Sequence, residues 1–229
     1  MKKLAALLRY LNENTNTVNI HVYLMFSQSC YREVNVDISS LRRSKGSETY
    51  GEATIVLVRK ILSVCDGNLA NKTFVDLGSG CGQVCMMMAA LSSAAKCFGI
   101  EKLDKPSLYA KKLLPRFIAK LNAKRIRHAP VELMQGDFRI YQPNLENALR
   151  CAGLVFINNP KFEPSLNLLI LQKLCPLLSK QTKVVCFESL IGTKGYWDNC
   201  LLYKSSIDCG PNSVTWHGHD VALHILEKL

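Results

Sequence analysis

The chain has 229 residues, which is enough for one domain with a full hydrophobic core plus a small appendage. Its formal net charge is +11, from 29 Lys and Arg against 18 Asp and Glu, and this balance favours an acidic partner such as nucleic acid or chromatin. The ten cysteines include no C-x-x-C pair or metal-site spacing, the start does not resemble a signal peptide, and no apolar run reaches membrane-spanning length. We therefore expect a soluble, intracellular protein with reduced cysteines.

Residues 1–46 differ from the rest of the chain and are predicted to form an N-terminal appendage to a main domain at 47–229. Leucines recur at helical spacing over Leu4–Leu11, and apolar residues alternate with polar or small ones over Val18–Leu24. These patterns predict a helix followed by a strand. A basic loop comes next and contains Arg42, Arg43 and Lys45.

The stretch from Phe74 to Gln83 organises the main domain. Phe74–Leu77 is apolar apart from Asp76, which predicts a buried parallel strand. Glycines then recur at every second position, and an apolar pattern typical of a helix resumes at Val84. These glycines, which let the backbone turn sharply and approach a ligand, are Gly78, Gly80 and Gly82. Strand, glycine-rich turn and helix form the nucleotide-binding unit of open α/β sheets.

The spacing of the glycines and the acid before them indicate which nucleotide this turn binds. The dinucleotide fingerprint needs its third glycine at the position of Gln83. Asp76 would repel a pyrophosphate, but it would attract a ligand that carries an ammonium and a sulfonium. The pattern D-x-G-x-G-x-G resembles the first motif of class I methyltransferases, so we expect S-adenosylmethionine here. The alternative is a glycine-rich turn without a ligand.

Two further acids follow predicted strands at positions that contact nucleotides in such sheets. Glu101 ends the second strand, where an acid accepts hydrogen bonds from ribose hydroxyls. Asp137 and Phe138 follow the third strand, near the place of the adenine in class I methyltransferases. We expect Asp137 to accept from the adenine amino group and Phe138 to pack against the ring. A turn with a core phenylalanine is the alternative for this pair.

The region between these two strands is strongly basic. Four cations recur at a spacing of four and would form a stripe on one helix face. They are Lys112, Arg116, Lys120 and Lys124. The stripe either meets an acidic partner or is a solvated helix face. Pro115 lies within this pattern and should kink or split the helix.

Three further segments complete the predicted sheet. Leu154–Ile157 and Val184–Phe187 are typical of buried parallel strands, and Leu201–Ile207 with Val221–Leu226 fits a terminal antiparallel hairpin. The predicted fold class is α/β: a doubly wound, Rossmann-like class I methyltransferase sheet, mostly parallel with a C-terminal antiparallel hairpin, plus the N-terminal appendage. Trp216, between the hairpin strands, is either a core plug or a wall of the substrate channel.

Several motifs between residues 50 and 218 together resemble one family. It is the disruptor-of-telomeric-silencing type of histone methyltransferase, which has no SET domain and modifies a lysine in the globular core of histone H3. The matching pieces are Tyr50–Gly51–Glu52, Phe74–Gly80, Gly82–Gln83–Val84, Glu101–Lys102 with Asp104, Gly136–Asp137–Phe138, Val155–Phe156 with Asn158–Asn159, and Ser213–Val214 with Trp216 and Gly218. We find no match in the first 46 residues.

The resemblance implies a nuclear enzyme that uses S-adenosylmethionine, releases S-adenosyl-L-homocysteine and acts on nucleosomes. The implied cofactor-binding residues are Glu52, Asp76, Gly78, Gly80, Gln83, Glu101, Lys102, Asp137, Phe138 and Asn159. The implied catalytic residues are Asn159, Trp216 and Tyr50. Asn159 and Trp216 would align a neutral lysine amine for in-line displacement at the sulfonium. An apolar channel and the sulfonium charge both disfavour the ammonium, so a strong general base is unnecessary.

The same resemblance implies that the basic loop and the basic stripe hold DNA or an acidic histone surface. Two positions depart from the family pattern. Pro160 stands where an aromatic usually follows the paired asparagines, and Leu223, beside His224, stands where a channel tyrosine is expected. The rim of the lysine channel and the number of methyl groups transferred are therefore open.

Two other functions fit the sequence. Asn159–Phe162 resembles the N-P-P-[YF] signature of N-methyltransferases that act on nucleic-acid adenine or protein glutamine, although its third residue is Lys161. The other is a non-catalytic chromatin-binding module with a methyltransferase fold. The presence of Asp76 and Glu101 argues against that module, because a dead site has no reason to keep cofactor carboxylates.

Overall fold

The computed structural model describes residues 21–22, 24–41, 53–64, 69–192, 196–197, 200–210, 213–214 and 221–229. The α-helices in these ranges are α1 (Tyr31–Val34), α2 (Ile38–Leu41), α3 (Ile55–Ser63), α4 (Gln83–Leu91), α5 (Asp104–Ala123), α6 (Pro143–Arg150) and α7 (Pro164–Leu169). A π-helical segment at Met25–Cys30 precedes α1, and another at Ile170–Leu174 follows α7 and leads into a 3-10 turn at Cys175–Leu177. Among the described residues, we find no helix with the length and apolar character needed to cross a membrane.

The strands form one eight-stranded sheet in the order β3-β2-β1-β4-β5-β8-β7-β6. They are β1 (Thr73–Leu77), β2 (Lys96–Glu101), β3 (Val131–Gln135), β4 (Ala152–Ile157), β5 (Lys183–Cys186), β6 (Tyr196–Trp197), β7 (Leu201–Asp208) and β8 (Ala222–Lys228). β1 to β5 are parallel, and β8, β7 and β6 continue the sheet antiparallel. The predicted α/β class I methyltransferase fold is confirmed. Because the strand order reverses between β1 and β4, the carboxyl ends of these two strands flank the crevice where such sheets bind ligands.

The sheet is covered on both faces, which explains why its parallel strands are almost uniformly apolar. One face packs against α3, α4, α5 and the segment around Phe26, and the other packs against α6 and the π-helical segment after α7. Every residue of β1 is buried. Asp76 is therefore an acid within a fully buried strand, and its side chain lies on the same side of the sheet as Phe74.

The predicted strand over Val18–Leu24 is wrong in its described part. Val22 and Leu24 are helical and lead directly into the π-helical segment. Val22, Met25 and Phe26 are all buried, at the i, i+3, i+4 spacing of a helix face. The segment is helical rather than extended because the helical spacing places these three buried side chains on one helix face, which packs into the core.

The described part of the predicted appendage packs on the main domain. The Phe26 ring meets the Phe117 ring of α5 edge-on, with centroids 5.5 Å apart. The Tyr109 hydroxyl accepts a hydrogen bond from the backbone N–H of Asp37 at 3.2 Å. The boundary at residue 46 stays a prediction. The predicted helix over Leu4–Leu11 and the basic loop lie outside the described residues.

α5 continues through Pro115 for 20 residues, so Pro115 does not split this helix, and the alternative prediction of a kink stays a prediction. An internal proline removes one backbone hydrogen bond and costs roughly 3 kcal/mol. The buried face continues on both sides of it, with Leu113, Phe117 and Leu121 all fully buried. Each such side chain contributes roughly 2 kcal/mol on burial, which offsets the cost of the proline.

Candidate functional site

A cavity lies at the carboxyl ends of β1, β2 and β4, where the sheet topology places a ligand crevice. Eight of the ten predicted cofactor-binding residues line it. They are Asp76, Gly78, Gly80, Gln83, Glu101, Lys102, Asp137 and Phe138. Of the other two, Glu52 lies outside the described residues, and Asn159 is described but does not line the cavity.

The glycine-rich turn forms one wall and has a backbone that only glycine adopts easily. Gly78 and Gly82 have φ angles of +84° and +78°, in the left-handed region. A Cβ on Gly82 would lie 2.4 Å from Leu133 Cδ1, so any other residue here would also force the Leu133 side chain to move. The amides of Gly78 and Ser79 both donate to the carbonyl of Ile100, which ties the turn to the end of β2.

Asp76 contributes a buried carboxyl to this wall and is only 2% exposed. Burial, and secondarily the charge of Glu101, raise the pKa of Asp76 to about 8. The Cys85 thiol donates to Asp76 Oδ2 at 3.9 Å and acts in the opposite direction on the pKa. A cationic ligand would stabilise the ionised carboxylate and lower this pKa again.

Glu101 spans the gap between the glycine turn and the start of α5. Its Oε2 accepts from the amide of Gly80 at 2.9 Å, and its Oε1 accepts from the amide of Leu103 at 2.8 Å. The backbone therefore holds Glu101 in a fixed orientation at the cavity.

Asp137 and Phe138 lie at the end of β3 and line the same cavity. The Phe138 ring is tilted against the Phe162 ring, with centroids 6.3 Å apart. Arg139 also lines the cavity, and its guanidinium binds the Asp137 carboxylate. This hydrogen bonding lowers the pKa of Asp137. The sequence did not predict Arg139 as a cavity residue. It predicted Phe162 only for the N-P-P-[YF] alternative, not for a histone methyltransferase.

The paired asparagines have different surroundings from those predicted. The prediction placed the side chain of Asn159 against the cofactor and the amine. Asn159 is fully buried, and all its side-chain hydrogen-bonding positions are occupied. Its Nδ2 donates to Asn167 Oδ1 and the carbonyl of Glu188, while its Oδ1 accepts from the amides of Phe187 and Glu188. Asn159 thus fastens the end of β4 to the chain beyond β5 and to α7, and its predicted cofactor and catalytic roles are corrected.

Asn158 is the asparagine that lines the cavity. Its Oδ1 is buried and has no hydrogen-bond partner within the described part of the chain. The alternation of a strand contains the signal that separates the two residues, because Asn158 shares its side of the chain with Phe156. Phe156 also lines the cavity and is paired with Asp76 across β1 and β4.

The position of Asn159 also weakens the N-P-x-F interpretation. That signature needs the asparagine side-chain amide on the target amine, whereas here the side-chain amide of Asn159 is bonded to Asn167 and to the backbone at 187–188. Phe162 does reach the cavity. The structure therefore supports the aromatic position of this signature but not its asparagine.

The chain before α3 meets the loop that precedes Trp216. Ala53, which lines the cavity, forms an antiparallel bridge with Val214. Thr54 caps α3 by accepting from the amide of Val56, and its own amide and hydroxyl donate to the carbonyl of Ser213. The predicted catalytic residues Tyr50 and Trp216 lie outside the described residues.

Leu223, which departs from the family pattern, is fully buried in the core. It therefore serves packing at this position.

The basic stripe on α5 is partly engaged within the protein. Lys120 Nζ lies 2.6 Å from Glu33 Oε1 of α1. Arg116 Nη1 donates to the carbonyl of Lys112. Lys124 follows the last residue of α5. The side chains of Lys112 and Arg116 are exposed. The candidate loop residues Arg42, Arg43 and Lys45 lie outside the described residues.

The fold and the cavity define the class of protein. A crystal structure of a putative O-methyltransferase from Klebsiella pneumoniae superposes with a TM-score of 0.58 at 12% identity, over 97% of this chain and 96% of that chain. The chain therefore has the class I methyltransferase fold.

The family follows from sequence comparison. The model of the family described as Histone methylation protein DOT1 matches residues 31–225, and the chain belongs to this family. The match begins within the predicted appendage, where our sequence reasoning found no resemblance.

Two curated relatives are both named histone-lysine N-methyltransferase, H3 lysine-79 specific. The Drosophila melanogaster protein is 34% identical over 190 residues, which is 79% of this chain and 10% of that protein. The Caenorhabditis elegans protein is 32% identical over 169 residues, 72% of this chain and 17% of that protein. The chain thus matches less than a fifth of the length of these two relatives.

Proposed function

We propose that this chain is an S-adenosylmethionine-dependent methyltransferase that modifies a lysine in the globular core of histone H3 within nucleosomes, and that it acts in the nucleus. The observation that carries the proposal is the cavity beside β1 and β4, in which three acids, a glycine-rich wall and a buried asparagine oxygen without a partner among the described residues converge. The family membership and the names of the relatives supply the acceptor.

The residues present fit the cofactor. Asp76 is a buried acid suited to a ligand that carries an ammonium and a sulfonium. Glu101 is an acid held at the end of β2, the position that accepts hydrogen bonds from ribose hydroxyls in such sheets. Phe138 offers an aromatic surface for the adenine, and Asp137 an acceptor for its amino group. When bound, the cofactor supplies an electrophilic methyl group on a positively charged sulfur.

The chain's own task is then to align an amine and to keep it neutral. Asn158 has a buried oxygen with an unused acceptor position, which suits an N–H of the bound molecules. Ala53, Phe156 and Phe162 give the same cavity apolar surface, which disfavours an ammonium and so favours the nucleophilic amine. Alignment within this wall would supply most of the rate.

The positive charge supports a nucleosomal substrate. The exposed cations of α5, with the candidate loop Arg42, Arg43 and Lys45, suit DNA or an acidic histone surface. Lys120 already binds Glu33, so Lys112, Arg116 and Lys124 are the stripe residues we assign to this contact. Charge reversal at Lys112 and Arg116 should weaken nucleosome binding and reduce its salt dependence, with an unchanged thermal midpoint.

The proposal is tested by radiolabel transfer from S-adenosylmethionine to nucleosomes, free histone H3 and naked nucleic acid in parallel. We expect label in H3 of the nucleosome and little in the other two. Label in nucleic acid alone would replace histone by nucleic acid as the substrate. Binding of the cofactor without transfer to any of the three would contradict the proposed acceptor.

Variants of the paired asparagines locate the chemistry. Asn158→Ala should reduce transfer about tenfold or more, because one hydrogen bond in a water-poor cavity is lost, while the thermal midpoint changes little. Asn144→Ala is the matched control, since Asn144 is exposed on α6 and bonds only to Glu132 among the contacts described for its side chain. Equal activity of Asn158→Ala and this control would refute the assigned role of Asn158.

A further inference from the structure

We infer that Arg139 is a positioning residue that fixes the Asp137 carboxylate, and that it thereby sets the preference of the site for purines with a 6-amino group. The inference rests on the proposed function, because it deepens the recognition of the cofactor at the end of β3. It concerns a residue at the cavity that neither the sequence pattern nor the family resemblance singled out.

The contacts between these two side chains hold the carboxylate from several directions. Arg139 Nε lies 2.9 Å from both Asp137 oxygens, and Nη2 donates to Oδ2 as well. The backbone amide of Arg139 donates to Oδ1 at 3.0 Å. The carbonyl of Asp137 in turn accepts from the amide of Ile140, which closes a turn around the pair.

Both side chains line the cavity, and their exposure to solvent differs. The Asp137 side chain is 17% exposed, whereas the Arg139 side chain is 49% exposed. A guanidinium that grips a carboxylate in a fork holds the plane of that carboxylate, which otherwise turns freely. Arg139 thus lies at the more exposed edge of the cavity and fixes the orientation of the Asp137 carboxylate.

The same contact fixes the chemistry that Asp137 can offer. Hydrogen bonding to Arg139, supported by the charge of Lys102, lowers the pKa of Asp137, so the group remains an acceptor with no proton to donate. An acceptor of this kind pairs with the 6-amino group of a purine and repels the 6-oxo group of its deaminated analogue. The 6-amino ligand therefore gains a hydrogen bond at Asp137, whereas the 6-oxo analogue places a second acceptor against the carboxylate and binds more weakly.

The test measures affinity for S-adenosylhomocysteine and S-inosylhomocysteine by calorimetry at pH 7. The variants are Arg139→Gln, Arg139→Lys, Asp137→Asn and the control Arg150→Gln. Arg150 is a matched control because it forms a similar exposed pair with Glu146 on α6. The ratio of the two affinities is informative, since a purely structural defect weakens both ligands equally.

We expect the wild type and the Arg150→Gln control to favour the 6-amino ligand at least about tenfold. Arg139→Gln should reduce the ratio to about threefold, Arg139→Lys should give an intermediate ratio, and Asp137→Asn should abolish the preference. An unchanged ratio in Arg139→Gln, despite loss of the preference in Asp137→Asn, would overturn the role of Arg139 alone.

Two other results overturn the inference in different ways. A preference retained in Asp137→Asn would remove Asp137 from purine recognition, and Arg139 with it. Failure of the folded wild type to bind S-adenosylhomocysteine at all would refute the proposed function as well. Thermal midpoints of every variant identify any that has lost its fold, and Arg139→Lys then provides the comparison that keeps the side-chain charge.

Discussion

The buried carboxyl of Asp76 should make the ligand-free protein less stable as the pH rises. Its pKa is 3.8 in a free side chain and about 8 in the folded protein, because burial disfavours the charge. Between these values the folded protein holds one more proton than the unfolded chain. The stabilising contribution is fully present below pH 3.8 and is lost as the pH rises through about 8.

The size of the effect follows from this difference of one proton. The free energy of unfolding falls by about 1.4 kcal/mol per pH unit in this window on account of Asp76. From pH 5 to 7.5 the loss amounts to about 3 kcal/mol. Asp76→Asn removes the titrating group, so the stability of the variant relative to wild type should rise by the same amount. Any fixed cost of burying the amide shifts this difference equally at every pH.

The assay is urea unfolding at several pH values between 5 and 7.5, at constant ionic strength. Asp208→Asn is the control, because it makes the same change on an exposed aspartate of β7. The control should run parallel to wild type, while Asp76→Asn should diverge from both. If the wild-type and Asp76→Asn stabilities run parallel over this range, the buried carboxyl does not titrate as the structure indicates.

Other consequences of the site can be measured in the same way. Cys85→Val removes the thiol donor from Asp76, so cofactor affinity should fall more at pH 7 than at pH 9, whereas Cys85→Ser should retain the wild-type profile in calorimetry. Equal losses at both pH values would contradict this role of the thiol. Gly82→Ala should lower the free energy of unfolding by about 2 kcal/mol or more, because it adds a Cβ at a φ of +78° against Leu133, and an unchanged urea midpoint would refute this. Asn159→Ala should cost about 2 to 4 kcal/mol in the same experiment, because it leaves several buried backbone groups unpaired, and wild-type stability would contradict the fastening role.

The arrangement of the sheet could be predicted because its signals are local and consistent. The turn adopts a left-handed backbone at Gly78 and Gly82, which glycine allows without strain. The apolar run before the turn suits a strand buried on both faces. Parallel strands then bring their carboxyl ends together. This explains why Asp76, Glu101 and Asp137, far apart in sequence, line one cavity.

The errors arise where tertiary packing decides between local alternatives. Val22 and Leu24 fit both a strand and a helix, and the contact of neighbouring Phe26 with Phe117 favours the helix. Pro115 should interrupt a helix, but the apolar residues on either side of it hold α5 against the sheet. Neither outcome can be read from a local window, because the compensating contacts come from other elements.

The two asparagines after β4 show a different limit of prediction from the sequence. Both are amides at the end of a buried strand, and only the direction of each side chain separates a ligand contact from a structural clamp. Strand alternation assigns that direction once Phe156 is known to pair with Asp76, but the pairing is a property of the sheet register. The contact between Arg139 and Asp137 is even harder to predict from the sequence, since it depends on the rotamers of two neighbouring surface side chains.

The residues that line the cavity are also those that conflict most with local stability. Asp76 is a buried acid with a raised pKa, and the buried Oδ1 of Asn158 has no hydrogen-bond partner among the described residues. Each conflict is relieved by the proposed occupant, because a cation favours the carboxylate and an N–H satisfies the oxygen. Asn159 shows the opposite behaviour, since its side chain is fully satisfied within the protein. For the paired asparagines, an unsatisfied side-chain oxygen therefore separates the ligand-facing residue from the structural one, a distinction that residue type alone does not make.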